Sequence, residues 1–255
     1  GTFYVNSNNL VSKHEKQAIG RYGFKEDFLE MSKAGHEIGS HSLTHPNLAA
    51  IEQEKLCREL EEDKKNIESF TATRCFTHAY PYCIHNEAVD SVMLMHFIAG
   101  RYCGGLANPA IGNDGKCSLV NSDLLTWKYP RSLDKEKESF LELKEKINHL
   151  NGGFGVVCIH ETLPFKLLHT SDTYEVATTE WLEKVCNYLS ALRKQKKIWP
   201  APLSEIVRYA AERSNLRVCK SVVSKDTIYY RFSTWLDPEV YNVPLTIECT
   251  LPADW

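Results

Sequence analysis

Apolar residues recur along the chain with two different periods. Across residues 47–70, Leu48, Ile51, Leu56, Leu60 and Ile67 stand in a strongly charged background, the spacing of an amphipathic helix lying on a sheet, and Pro46 suits its first turn. Phe140, Leu143, Ile147 and Leu150 repeat that spacing and stop at Asn151-Gly152-Gly153, residues that end helices by permitting positive φ. Trp181, Leu182, Val185, Leu189 and Leu192 predict a third helix, whose basic end (Arg193, Lys194, Lys196, Lys197) complements the helix dipole, and residues 206–211 predict a fourth. Between the helices lie short apolar runs at 2–5, 37–39 and 155–159. Strands alternating with helices predict a parallel sheet or barrel. Residues 98–130, rich in Gly, Asn and Pro, read as irregular connections suited to carrying site residues. From about Leu216 the pattern changes to β-formers, with Tyr229, Tyr230, Phe232, Val243, Leu245, Ile247 and Leu251 around Asp237-Pro238 and Val243-Pro244, as at the start of a second, β-rich module.

Composition narrows the class. The 255 residues are 43% hydrophobic and 25% charged, enough for a substantial core in one or two domains or a single α/β barrel. Thirty Lys and Arg against 33 Asp and Glu give a net charge of −3, without the basic footprint of a nucleic-acid or anionic-membrane binder. No apolar stretch approaches the roughly 20 residues of a spanning helix. The chain opens on what reads as a core strand with no targeting signal, so its natural beginning is expected upstream. Nine cysteines form no C-x-x-C pair, which disfavours a zinc ribbon or a thioredoxin-type motif. Most are expected to be buried small hydrophobes, with Cys75–Cys83 or Cys103–Cys117 as the bridges to consider in a secreted protein.

His41 and His45 stand at i and i+4, a spacing that lets two imidazoles reach one metal ion. Ten histidines in this length give roughly 0.4 such pairs by chance, so surface or core histidines are the competing reading. The pair follows the strand-like His36-Glu37-Ile38-Gly39, at the strand end where α/β folds place their sites, and this favours the metal. The intervening Ser42-Leu43-Thr44 lacks the glutamate of a zincin helix, which argues against that class of metalloprotease.

The stretch Ala34-Gly35-His36-Glu37-Ile38-Gly39-Ser40-His41-Ser42-Leu43-Thr44-His45-Pro46-Asn47-Leu48 resembles the metal-binding motif of polysaccharide deacetylases with the NodB homology domain, the carbohydrate esterase family 4 type. The resemblance implies an α/β fold, a distorted (β/α) barrel with fewer than eight units, over residues 1–213, with 214–255 as a β-rich segment outside it. It implies that His41 and His45 bind a divalent metal, with zinc the expected ion, together with an aspartate. Thr77-His78-Ala79-Tyr80-Pro81-Tyr82-Cys83 resembles the next motif, in which the main-chain amide of Tyr82 would help hold the oxyanion. Here Ala79 replaces the family's frequent arginine and Cys83 its glycine. Trp127-Lys128-Tyr129-Pro130-Arg131 is similar to a later Pro-Arg element, in which Arg131 orients a catalytic carboxylate, a solvated or structural arginine being the alternative. Gly155-Val156-Val157-Cys158-Ile159-His160 is similar to the last motif and makes His160 the general acid. Gly1-Thr2-Phe3-Tyr4-Val5 resembles the family's second strand, which would put the Thr-Phe-Asp-Asp motif of the first strand, with its base and third ligand, about thirty residues upstream.

Of the other histidines, His36 is expected to be packed and structural, and His14, His78, His85, His96, His149 and His169 solvated. Tyr80, Tyr82, Trp127 and Trp181 either wall a sugar or acetyl group or belong to the core. The resemblance thus implies a metal-dependent amidohydrolase that removes N-acetyl groups from an amino-sugar polymer or oligosaccharide of the chitin or peptidoglycan type, in a secreted or cell-envelope setting. Two other readings stay open: a catalytically inactive carbohydrate-binding or scaffold member of the same fold, and a hydrolase of another amide or imide.

Overall fold

The computed structural model describes residues 1–13, 23–103, 112, 114–121, 125–126, 133–150, 154–170, 176–223 and 227–248. Strand β1 (Thr2–Val5) pairs in parallel with β2 (Glu37–Ser40), in a register running from Thr2 opposite Glu37 to Val5 opposite Ser40. β2 in turn lies parallel to β3 (Thr77–Ala79), with Ser40 opposite His78. With β4 (Ala99–Tyr102) and β5 (Cys117–Asn121) they form a five-stranded sheet in sequential order. Parallel strands need crossovers, and helices α1 (Lys25–Lys33), α2 (Gln53–Thr71) and α3 (Glu87–His96) supply them. The architecture is α/β with a parallel sheet, of the type the pattern predicts.

Helix α2 buries Leu56, Leu60 and Ile67, the stripe the spacing marks out, but it starts six residues later than the apolar pattern. The Asn47 side chain accepts from the Ala49 amide and so caps a 3-10 turn, Leu48–Ala50, while Ile51 and Glu52 stay extended. A capping side chain thus overrides the periodicity. Helices α1 and α3 escape the pattern for different reasons. The first buries no residue at all, and the second buries only Val89, Val92 and Met93 behind its Asn86 cap.

The chain divides into two compact units. The first comprises residues 1–100, 110–118 and 202–255, and the second residues 101–109 and 119–201. The second unit carries the parallel pairs β6 (Leu125–Thr126) with β7 (Val157–Cys158) and β8 (Glu161–Leu163) with β9 (Val176–Thr178). Its helices α4 (Leu133–Asn148) and α5 (Thr179–Lys194) meet over Leu143, Ile147, Trp181, Val185 and Leu192, so the periodic residues of both form one core. Strand β7 is two residues long and residues 155–159 are half-buried, not the strand buried on both faces that its apolar run suggests. β4, β5 and β6 also arise inside residues 98–130, where irregular connections are expected.

In the first unit, α6 (Leu203–Asn215) is tied to the start of the sheet by a buried carboxylate. Glu37 accepts from the Thr2 hydroxyl at 2.8 Å, the Thr77 hydroxyl at 2.8 Å and the Ser204 amide at 2.9 Å, and the Leu203 amide donates to Thr2 Oγ1 at 2.8 Å. A negative charge there also complements the N-terminal end of the helix dipole. Beyond α6, β10 (Arg217–Val223) and β11 (Ile228–Ser233) form an antiparallel ribbon that exposes Val218, Tyr229 and Tyr230. The following segment returns to the unit, burying Leu236, Tyr241 and Val243 and donating from Val243 N to Glu212 Oε1 at 2.8 Å.

The cysteines depart from expectation. Cys83 and Cys103 are disulfide-bonded, whereas Cys75 and Cys117 are buried thiols, so neither bridge considered from sequence spacing forms. Cys186 and Cys219 are exposed rather than buried.

The Tyr241 hydroxyl donates to the Asp114 carbonyl at 3.2 Å, and burial, then Asp114 and Asp237, push its pKa up to about 12. A phenol whose folded pKa lies above its unfolded value of about 10 stabilises the fold at lower pH and loses that contribution as ionisation sets in. Ultraviolet titration is expected to show a tyrosine ionising near 12 that Tyr241→Phe removes. The stability advantage of the unsubstituted chain over that variant should narrow as pH rises through the same window.

Candidate active site

The strand end that follows Ser40 is where the chain brings its chemistry together. At the end of the β1–β2 ladder the His41 amide donates to the Val5 carbonyl at 2.9 Å, so the first histidine leaves the sheet at a fixed point. Its Nδ1 lies 2.7 Å from the Ala79 carbonyl, an acceptor only, so Nδ1 carries the proton and Nε2 presents its lone pair. His45 turns back toward it. The two Nε2 atoms are 3.1 Å apart, and the rings meet edge to face with centroids 4.7 Å apart. Two nitrogens each about 2.0–2.1 Å from one zinc ion can stand at this separation, so the pair fits a metal as two of its ligands. Among the described residues no group of three or more His, Cys, Asp and Glu side chains is arranged to hold a metal.

Bringing residues i and i+4 together here takes a tight loop, not a helix. Ser42 and His45 have φ of 64° and 62°, the left-handed region that costs an L residue about 1–2 kcal/mol. The loop is held from every side. Asn6 Nδ2 donates to the carbonyls of His41 at 2.5 Å and Ser42 at 3.0 Å, and the Asn8 amide donates to the Leu43 carbonyl at 3.3 Å. Ser42 Oγ accepts from the His45 amide at 3.0 Å. From α2, Glu59 accepts from the Thr44 amide at 2.8 Å and its hydroxyl at 2.6 Å, and its own carbonyl accepts from the Leu43 amide at 3.1 Å.

One turn further along α2, Asp63 accepts the Ser7 amide at 2.8 Å and anchors the segment that carries Asn6. Burial raises its pKa, and its hydrogen-bond donors pull the other way. Asn6, Glu59 and Asp63 are missed by motif reading. The signal for the carboxylates is present in the sequence all the same: Glu59 and Asp63 sit at i and i+4 within the stripe of Leu56, Leu60 and Ile67, where α2 is otherwise apolar.

Tyr82 completes the cluster. It lies in the 3-10 turn Pro81–Cys83 directly after β3, and its ring meets His45 edge-on at 4.6 Å while remaining 62% exposed. Tyr82 and Cys83 also have positive φ, so four of the six non-glycine residues with left-handed backbone among the described residues belong to this one site. Such clustering is typical of functional loops whose geometry is imposed by their surroundings. Tyr80 is core, not wall: it is fully buried, and burial together with the neighbouring Asp90 pushes its hydroxyl far above the usual tyrosine value. Trp181 is likewise core, in the second unit.

The other histidines redistribute. His78, expected to be solvated, is fully buried because it lies on the central strand β3, where it bonds Ser40 Oγ at 3.0 Å between the rings of Tyr80 and Phe97. His85 is half-buried against Asp90 at 3.2 Å, and His96 is half-buried, with its pKa lowered mainly by that burial. His36, expected to be packed, is exposed, its ring meeting edge-on at 5.3 Å a Phe3 that is itself exposed. His149 is exposed as expected. His160 is exposed between β7 and β8 in the second unit. Trp127, Arg131 and His14 lie outside the described residues, as does the side chain of His169.

Residues 1–96 match the polysaccharide deacetylase family. The match covers β1 to α3 and so contains His41, His45 and Tyr82. A Mycobacterium smegmatis protein assigned as a polysaccharide deacetylase superposes over 89% of this chain and 76% of its own with a TM-score of 0.58 at 13% identity, which is a likeness of fold. A mutant of a CE4 family pseudoenzyme covers 81% of this chain and 56% of its own at a TM-score of 0.47 and 13% identity. Among curated proteins, a gellan lyase from Bacillus sp. aligns at 22% identity over 97% of this chain, which spans only 11% of that relative. The fold is of the NodB deacetylase type, as the opening motifs imply.

The left-handed backbone at His45 generates a direct test. With the imidazole removed in both, His45→Gly should exceed His45→Ala in stability by about 1 kcal/mol in denaturant unfolding, because only the alanine pays for positive φ. Equal stabilities would show that the loop relaxes to an ordinary conformation.

Proposed function

We infer that this chain is the hydrolytic unit of a metal-dependent deacetylase that removes N-acetyl groups from an amino-sugar polymer of the chitin or peptidoglycan type. The observation that carries this reading is the pair of converging imidazoles, one with its tautomer set by a backbone carbonyl. A divalent ion, zinc by the chemistry of two neutral imidazole donors, supplies a Lewis acid for the acetyl carbonyl and for an attacking water when bound. His41 and His45 would hold it through Nε2. The Tyr82 amide donates to the oxygen that gains charge as the carbonyl carbon becomes tetrahedral. His160 gives its proton to the departing amine, which leaves as a free amino sugar beside acetate. Arg131 orients a carboxylate that serves as base.

The disulfide-bonded Cys83 and Cys103 support an oxidising, secreted or cell-envelope setting. No described helix is long and apolar enough to cross a membrane. A second reading, a carbohydrate-binding member of the fold without catalysis, is favoured by the two-donor site, since among the described residues no third metal-ligating side chain joins the pair.

Calorimetric titration with zinc is expected to reveal a site that His41→Ala and His45→Ala each abolish; a chain that takes up no zinc would sink the metal-dependent reading. Acetate release from acetylated amino-sugar polymers, sensitive to chelator, is expected of the protein carrying the aspartate pair that the resemblance implies, and little or none of residues 1–255 alone, in which, among the described residues, the two imidazoles lack a base and a third ligand. Binding of the polymer without acetate release by the aspartate-bearing protein would instead select the second reading. In the active enzyme, His160→Ala should lower turnover by about 10²–10⁴ with zinc affinity unchanged. Near-normal turnover would reject the acid role, and lost zinc would reassign His160 as a ligand.

A further inference from the structure

We propose that Glu59 is a positioning residue that sets the geometry of the His41–His45 pair through the backbone of the loop between them. This rests on the metal reading given above only for what the pair binds, not for how the pair is held.

Glu59 is 4% exposed and occupies a place on α2 where a leucine would extend the apolar stripe of Leu56, Leu60 and Ile67. Burying a carboxylate there is unfavourable unless its oxygens are met by donors. Both are met by one residue, Thr44, whose amide and hydroxyl reach Oε2 and Oε1 respectively, in a two-point grip that fixes orientation as well as position. Thr44 lies directly before His45, and the Leu43 amide is held by the Glu59 carbonyl, so two consecutive residues of the five-residue loop are clamped to one helical position. The loop has reason to escape. Ser42 and His45 stand in left-handed backbone, and a loop released from α2 would swing His45 away from His41. His41 is fixed independently, by Val5 at its amide and Ala79 at its ring. Glu59 therefore governs the second imidazole relative to a first that the sheet already holds.

The test compares Glu59→Ala, Glu59→Gln, Thr44→Val and, as a control, Glu212→Ala, which removes the acceptor of the Val243 amide elsewhere in the first unit. Two readouts are taken on the full chain: zinc affinity by calorimetry, and the proximity and tautomers of His41 and His45 by nitrogen-15 NMR without metal. Glu59→Ala should weaken zinc binding about 10–100-fold, the range for loss of a group that orients a ligand. Its His45 ring resonances should lose the signature of contact with His41, while His41 keeps its Nδ1 proton. Thr44→Val, which deletes a single hydroxyl and leaves the chain folded, should move both readouts in the same direction by a smaller factor. Glu59→Gln, which can accept from the amide and donate to the hydroxyl, should restore both, and Glu212→Ala should alter stability but neither readout. Unchanged histidine resonances in Glu59→Ala and Thr44→Val would overturn the proposal. If the unsubstituted chain binds no zinc, the deacetylase reading fails, and the NMR comparison still decides the role of Glu59.

Discussion

Parallel pairing of β1 with β2 sets where the site can be, because the ladder ends in a hydrogen bond from the His41 amide to the Val5 carbonyl and every later contact builds on that point. The same pairing places Asn6, one residue beyond β1, next to the His41 and Ser42 carbonyls. Adding β3 in parallel brings the Ala79 carbonyl to the His41 ring and the Tyr82 turn to His45. Three strand ends of one sheet thus supply Asn6 from β1, the histidine pair from β2, and both the orienting Ala79 carbonyl and the exposed tyrosine from β3, which is the general logic of sites at the carboxyl ends of parallel strands.

What the residue pattern revealed, and what it concealed, follows from how each element is stabilised. Helices α2, α4 and α5 bury apolar stripes and are legible as such. α1 buries nothing and α3 little, so neither leaves a periodic trace. The strands of the central sheet are three to five residues long: β1 and β2 show as short apolar runs and β3 lies within a motif, whereas β4 and β5 fall in the Gly-, Asn- and Pro-rich stretch and leave no pattern. The histidine pair was legible by spacing and context. Its supports were not, because Asn6 acts from another strand end and Glu59 from another element, and such contacts leave no local pattern. The burial of His78 leaves no local trace for a related reason: a histidine on a short interior strand is covered in part by residues distant in sequence, here Ser40 and Phe97, in addition to the nearby Tyr80.

The likeness to polysaccharide deacetylases rests on residues 1–96 in sequence and extends over most of the chain only as fold. That division parallels the chemistry. The strained loop and its anchors all belong to the first unit, where departures from ordinary backbone geometry are concentrated around two histidines and a tyrosine. The second unit is built more conventionally, around a core of aliphatic residues and Trp181, and contributes the exposed His160.

The first unit is discontinuous in the chain, and this shapes how it can assemble. Its sheet is joined to α6 by bonds from Leu203 to Thr2 and from Ser204 to Glu37, partners separated by 201 and 167 positions. Loop closure over such distances is entropically costly, and contacts of this kind form late and slowly. As the chain emerges from the ribosome, residues 119–201 are complete before α6 exists, so Glu37 waits with its carboxylate unmet by helix amides while the inserted unit is free to fold. Capture of α6 then precedes only the docking of the segment that carries Leu236, Tyr241 and Val243, and a nascent chain halted before α6 would present the histidine loop on a sheet that is not yet sealed.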